Sequence, residues 1–242
     1  MASAKLQRVR RPLLSDVVFD QLLDRIVNGF WAVGDDMPPE RLLGEELGVS
    51  RTALRAALAR LAQLRLIQIR QGGDTRVLDF RKTAGLDLLP YMAKRSASRV
   101  YAELLRSSCE LRAILAPDMA RLCAMRAGED VMGELELVVT EMSAQTRDLK
   151  ALHVSSVRFW TTIATGCLNL AYELAFNTLR EAIGPHVPKL GEAMEDELRD
   201  LKGYRAIAKA VRDADPAAAQ RAAKANIELG LSGLLALSRA RR

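Results

Sequence analysis

Histidine is nearly absent from this chain: 242 residues contain two, His153 and His186. A centre built on three imidazoles is therefore excluded, and neither histidine has sequence neighbours of ligating type. Cysteine is scarce as well. Cys109, Cys123 and Cys167 are odd in number and share no metal spacing, which fits reduced, buried thiols rather than a disulfide framework. Aromatic residues make up 5%, too few for a typical β-sandwich, whereas 49% hydrophobic residues suit leucine- and alanine-rich helix packing. No eighteen-residue apolar run and no signal-peptide pattern occurs, so neither a membrane span nor export is expected, and the location expected is cytoplasmic. Glycine-rich phosphate loops and nucleophile–base motifs are missing too, so neither an enzyme nor a cofactor is expected.

One further absence is local. The chain has 30 acidic residues, yet none lies between Leu47 and Gly73, where five arginines stand. One-signed charge of this kind suits a polyanion, as does the net charge of +6. The surrounding sequence, PPERLLGEELGVSRTALRAALARLAQLRLIQIRQGGDTRV from Pro38 to Val77, reads as helix, turn, helix and two-stranded wing. A short helix over Glu40–Leu47 places Leu42, Leu43 and Leu47 on one side. Gly48-Val49 reverses the chain, and Ser50 is suited to cap a second helix burying Leu54, Leu58, Leu61 and Leu64. Arg51, Thr52 and Arg55 fall near that helix's N-terminus, where a recognition helix meets bases and phosphates. Arg51 and Arg55 are expected to read base edges or adjacent phosphates, Arg41, Ser50 and Thr52 to fix the register, and Gln71 and Gly72 to reach the minor groove or its phosphates.

This segment resembles the winged helix-turn-helix of the GntR family of bacterial transcription regulators. The resemblance rests on Met37-Pro38-Pro39-Glu40-Arg41-Leu42-Leu43, Leu47-Gly48-Val49-Ser50-Arg51 and Arg55. It implies a homodimer on double-stranded, pseudo-palindromic operator DNA. Arg65 departs from the family pattern, standing where a glycine usually closes the recognition helix. A left-handed cap there costs about 1 kcal/mol, or the helix ends differently. The wing sequence Gly72-Gly73-Asp74-Thr75-Arg76-Val77 and the stretch Thr83–Leu88 are similar to the fatty-acid-responsive FadR regulators.

The expected organisation is mainly α. It has a basic arm (1–12), a winged helix-turn-helix domain (13–79), a linker (80–98) and an all-α bundle (99–242). The first helix, Leu13 to Gly29, turns Val17, Leu22, Leu23 and Ile26 inward. The bundle should hold six or so helices, with breaks near Gly128, Gly133, Ser143–Asp148, Gly166, Gly184–Gly191 and Asp213–Pro216. It resembles the FCD ligand-binding domain of FadR-type regulators, through Glu110-Leu111-Arg112 with Leu115-Ala116-Pro117 and Ala120, through Phe159-Trp160 with Ile163, Ala164 and Asn169, and through Tyr204, Ile207, Ala210-Val211 and Asp215.

Many FCD domains hold a divalent metal through one Asp and three His. The resemblance puts those positions on Ser156, Trp160, Tyr204 and Asn226, so no metal is expected. Ser156 and Trp160 are four residues apart and share a helix face. With Tyr204, Asn226 and an inward-facing Arg112 they could line a pocket for an organic effector. The likeness to fatty-acid regulators, which also lack the metal set, implies a long-chain fatty acyl-CoA. Another organic metabolite, such as a small carboxylate bound without metal, and a DNA-binding dimer with an inert C-terminal domain are the alternatives.

Overall fold

The structure is a computed structural model that describes residues 13–70, 74–95, 100–183 and 190–239. The basic arm, Gln71, Gly72 and His186 lie outside those residues. The chain forms two compact units that divide between Leu88 and Leu89, inside the stretch set out above as a linker.

The first unit runs α1 (Leu14–Val27), α2 (Glu40–Leu47), α3 (Arg51–Gln63), β1 (Ile67–Ile69), β2 (Thr75–Val77), α4 (Phe80–Thr83) and a 3-10 turn over Leu86–Leu88. Its core is built by α1 packing on α3. Val18, Phe19, Leu22, Leu23 and Ile26 of α1 meet Leu54, Leu58 and Leu61 of α3, all nearly inaccessible to water. Each such leucine removed from water contributes roughly 1.5–3 kcal/mol. Two expected inward residues prove exposed. Val17 is 38% accessible, because the stripe through Leu22, Leu23 and Ile26 extends back by four to Val18 and Phe19. Leu42 is 44% accessible, since in the eight-residue α2 it stands about 100° round from the buried Leu43.

The helix-turn-helix follows from its caps. Gly48 takes φ 64°, a left-handed conformation that lets Val49 N–H return to Gly44 O at 3.1 Å. Ser50 Oγ then accepts from Ala53 N at 3.3 Å and starts α3. At the other end Arg65 adopts φ 57°. Leu66 N–H returns to Leu61 O and Arg65 N–H to Ala62 O, so α3 closes in a Schellman motif with arginine in the position glycine normally takes. The antiparallel wing pairs Ile67 with Val77, Gln68 with Arg76 and Ile69 with Thr75. The segment Gly34–Met37 lies along the outer side of β2, through Val77 N to Asp35 O and Met37 N to Thr75 O.

The second unit comprises α5 (Leu89–Ala93), α6 (Tyr101–Arg126), α7 (Glu129–Ala144), α8 (Leu149–Gly166), α9 (Leu170–Ile183), α10 (Leu190–Ala193), α11 (Glu195–Arg199), α12 (Leu201–Arg212) and α13 (Pro216–Arg239). Among the described residues, six of these are long and no strand occurs, as an all-α bundle requires. The largest contact is α13 on α6, with α12 against both α13 and α7, and α8 against α7 and α6. The break expected at Gly133 does not occur. One glycine costs a helix about 1 kcal/mol, and burial of Leu135, Val138, Val139 and Met142 beyond it outweighs that. Glycines on α13 serve the packing instead. A side chain at Gly230 would collide with Glu197, and one at Gly233 with the Ala193 carbonyl, so α13 can press directly on α10 and α11.

Candidate nucleic-acid interface and effector site

At the start of α3, Arg51, Thr52 and Arg55 are all exposed. Ser50 between them and α2 spends its oxygen on the helix cap. Arg51 has no ion-pair or hydrogen-bond partner among the described residues, which leaves its five donors open. Arg55 is oriented: its Nε donates to Glu40 Oε2 at 2.8 Å, and that bond keeps the guanidinium firmly protonated. Arg41 lies along α2, paired with Glu45 one turn on. On the wing, Arg76 Nε sits 3.5 Å from Asp36 Oδ1, which ties β2 to the loop before α2. Glu40 was visible in the sequence pattern, but its partnership with Arg55 depends on how the turn folds α3 back across α2.

In the second unit, three of the five expected ligand residues come together. Ser156 Oγ and the Tyr204 hydroxyl are 2.8 Å apart, both buried. Phe159 packs edge-on against Tyr204 at 4.9 Å and against Trp160 at 5.8 Å. Burial and the nearby Glu197 push the Tyr204 phenol well above its ordinary range, while the Ser156 bond pulls the other way. The indole N–H of Trp160 is near enough to the Tyr204 oxygen to favour its ionised form, yet completes no hydrogen bond among the described residues.

Arg112 and Asn226 belong to a neighbouring polar cluster. Arg112 makes a two-pronged pair with Glu197, Nη1 to Oε2 at 3.0 Å and Nη2 to Oε1, and the Glu197 side chain is fully buried. Burial raises the Glu197 carboxyl above the usual carboxylate range despite the pull of Arg112, and Asp200 adds to the rise. Asn226 Nδ2 donates to Asp200 Oδ2 at 3.1 Å and approaches the Glu197 carbonyl at 3.4 Å. Glu197 and Asp200 were not singled out from the sequence. They lie 85 and 26 residues from Arg112 and Asn226, and nothing local signals those meetings.

Against this cluster lies a cavity of about 80 Å³. Its wall is mostly apolar, with Leu115, Met119, Phe176 and Leu179 prominent. The charged or titratable lining groups are Arg112, His153 and Arg180, with no acid among them. Ser156 and Trp160 border it, whereas Tyr204 and Asn226 are not part of its lining. Burial, with help from the Arg112 charge, depresses the His153 basicity, which favours the neutral imidazole.

These residues do not fit the metal that many FCD domains hold. Ser156 and Tyr204 satisfy one another as neutral hydroxyls, an indole N–H only donates, and the amide nitrogen of Asn226 is turned to Asp200. Among the described residues, no three His, Cys, Asp or Glu side chains stand close enough to share a cation. The cysteines offer no reactive thiol either. Burial pushes Cys109 up to about 11 and Cys123 up to about 12. No helix among the described residues is long and apolar enough to cross a membrane.

A winged helix-turn-helix joined to a helical bundle that carries a cavity defines the class of ligand-binding transcription regulators. The pattern described as "Bacterial regulatory proteins, gntR family" matches residues 14–77, and the FCD domain matches residues 107–229. The chain belongs to the GntR family, in the branch that carries an FCD domain. It is 32% identical to the HTH-type transcriptional regulator Mce2R of Mycobacterium tuberculosis over 96% of both chains. It is 30% identical to the fatty acid metabolism regulator protein of Edwardsiella ictaluri over 66% of this chain and 65% of the other. The solved structure of McbR/YncC from E. coli shares the fold, with a TM-score of 0.50 and 16% identity, over 94% of this chain and 99% of that one.

Proposed function

We propose that the protein is a homodimeric regulator that binds a pseudo-palindromic operator and releases or grips it according to a fatty-acyl effector, a long-chain acyl-CoA being the first choice. The observation that carries this reading is the character of the cavity. An apolar wall that carries Arg180 and His153, with Arg112 already paired to Glu197 and no acid in the lining, suits an amphipathic compound with an electronegative head. A relative named fatty acid metabolism regulator adds support from outside the chain. Dimerisation follows from the DNA side, since one short recognition helix reads too few bases for useful specificity.

Small carboxylates are the second reading, and one observation favours them. A volume of about 80 Å³ holds on the order of five to eight water-sized groups, so a long chain must part the helices before it enters. Coupling to DNA demands little energy in either case: a tenfold change in operator affinity corresponds to about 1.4 kcal/mol of effector preference for one arrangement. Linkage requires operator DNA to change effector affinity by the same factor.

Calorimetry with palmitoyl-CoA, octanoate and acetate, each with and without operator, tests the proposal. Micromolar palmitoyl-CoA binding that shifts on addition of operator supports it. Binding of a short carboxylate alone moves the effector to the second reading. If no compound binds, and none raises the melting temperature, the acyl and carboxylate readings both fall and an inert C-terminal domain is favoured.

A further inference from the structure

Helix α9 is apolar on two opposite sides. Tyr172, Phe176, Leu179 and Ile183 recur at three and four residues and pack against the bundle core. Leu170 and Leu174 stand roughly half a turn round from Tyr172, in one row with Asn177 and Glu181. A helix on the surface of a globular domain needs only one apolar side. The outer row also continues past the helix end. Arg126 Nη1 donates to the Cys167 and Leu168 carbonyls at 3.0 and 3.4 Å, which sets Met125, at the end of α6, beside the turn that leads into α9. Met125, Leu168, Leu170 and Leu174 each leave more than half of their surface in water. Leu168 does so at φ 48°, a conformation that glycine or asparagine takes at lower cost. A single exposed leucine is ordinary, but apolar side chains gathered in this way mark an interaction surface.

We infer that the outer side of α9, with Met125 and Leu168 at its N-terminal end, is the surface on which a second copy of this chain docks. The row is self-complementary, as a twofold interface requires. With the two α9 helices antiparallel about an axis between Leu170 and Leu174, each Leu170 faces the partner's Leu174. The same arrangement carries Glu181, at one end of each helix, toward the partner's Arg126 at the other. Both side chains are exposed, and neither has an opposite charge within ion-pair distance among the described residues. Those charges fix the register. Four apolar side chains from each copy supply the dry centre of a face that in stable dimers covers about 800 Å² per partner. This inference rests on the reading that the protein is a homodimer and names the surface responsible.

Sedimentation equilibrium of the full-length protein tests the surface. The wild type should be dimeric at micromolar concentration. Leu170→Glu with Leu174→Glu should weaken dimerisation at least a hundredfold with helical content unchanged, and Glu181→Arg should weaken it several-fold. Leu137→Glu, on the exposed side of α7, should leave it as it is. Should the double variant not fold, Leu174→Cys still decides. A short bismaleimide should link two copies through the new thiol, since the three native cysteines are buried. A dimer that survives the double change, or that leaves Leu174→Cys unlinked, overturns the surface and leaves the homodimer reading standing. Equal dissociation by Leu137→Glu overturns the surface as well. A wild type that is monomeric with and without operator overturns both.

Discussion

Nε of Arg55, on the recognition helix, donates to Oε2 of Glu40 at 2.8 Å, across fifteen residues of chain and the helix-turn-helix turn. One guanidinium is thereby held in a fixed orientation, while Arg51 beside it remains unpaired among the described residues. Arg51→Ala is expected to cost about 1–3 kcal/mol of specific operator binding if the side chain meets a guanine. Glu40→Gln should weaken binding several-fold by releasing Arg55. Gel shifts with unchanged affinity in both Arg51→Ala and Arg55→Ala would move DNA reading away from α3.

The Ser156–Tyr204 hydrogen bond makes a test of buried polarity. Tyr204→Phe strands the serine hydroxyl in a site 3% exposed and should destabilise the second unit by about 1–3 kcal/mol. Ser156→Ala combined with Tyr204→Phe should cost less than the two single changes added together. Denaturant unfolding of the four proteins measures this, and strict additivity would mean that the bond contributes nothing.

Arg112 and Glu197 are a buried ion pair, so half of it is worse than none. Arg112→Met alone leaves a carboxylate without its counter-charge and should cost about 3–5 kcal/mol, whereas Arg112→Met with Glu197→Leu should recover most of that loss. Equal stability of the single and double variants argues against the pair as drawn.

His153 gives the pH dependence a sign. Its native basicity is held below the ordinary value of 6.5, first by burial and then by Arg112. The unfolded chain therefore takes up the proton first, so this contribution to stability is complete above about pH 6.5 and is lost as pH falls through the lowered native value. The melting temperature should drop more between pH 7.5 and pH 5 in the wild type than in His153→Gln. Parallel curves for the two proteins would show that the imidazole is freely solvated.

If the resemblance is right that two hydroxyls, an indole and an amide stand at the family's ligand positions, purified protein should carry less than stoichiometric zinc, nickel or manganese. A chelator should leave its melting temperature unchanged. One tightly held metal per chain by elemental analysis would mean that Ser156, Trp160, Tyr204 and Asn226 are not the equivalent positions.

What could be read without coordinates was local. Gly48 and Ser50 mark the turn and the cap, because left-handed backbone and a side-chain acceptor each demand particular residues. Leu54, Leu58 and Leu61 identify the inner face of α3 by spacing alone. A stripe is harder to place when apolar residues run consecutively, as at Val17-Val18-Phe19, where the inward member depends on what packs opposite. Spacing also puts Ser156 and Trp160 on one face of α8. It cannot bring Tyr204 to that face, nor carry Glu197 across 85 residues to Arg112, because those meetings are decided by the stacking of whole helices.

Arg65 does more than end α3 in a strained conformation. Its carbonyl accepts from Thr83 Oγ1 at 2.7 Å, its guanidinium lies 3.6 Å from Asp87, and next to it Leu78 N–H bonds Leu66 O. The ten residues that lead out of the DNA-binding unit are thus strapped to the last turn of the recognition helix instead of trailing as a slack tether. Glycine at position 65 would relieve the backbone but surrender one buckle of that strap. Arginine at position 65 thus gives up about 1 kcal/mol of backbone preference and gains in return a side-chain contact that glycine could not make.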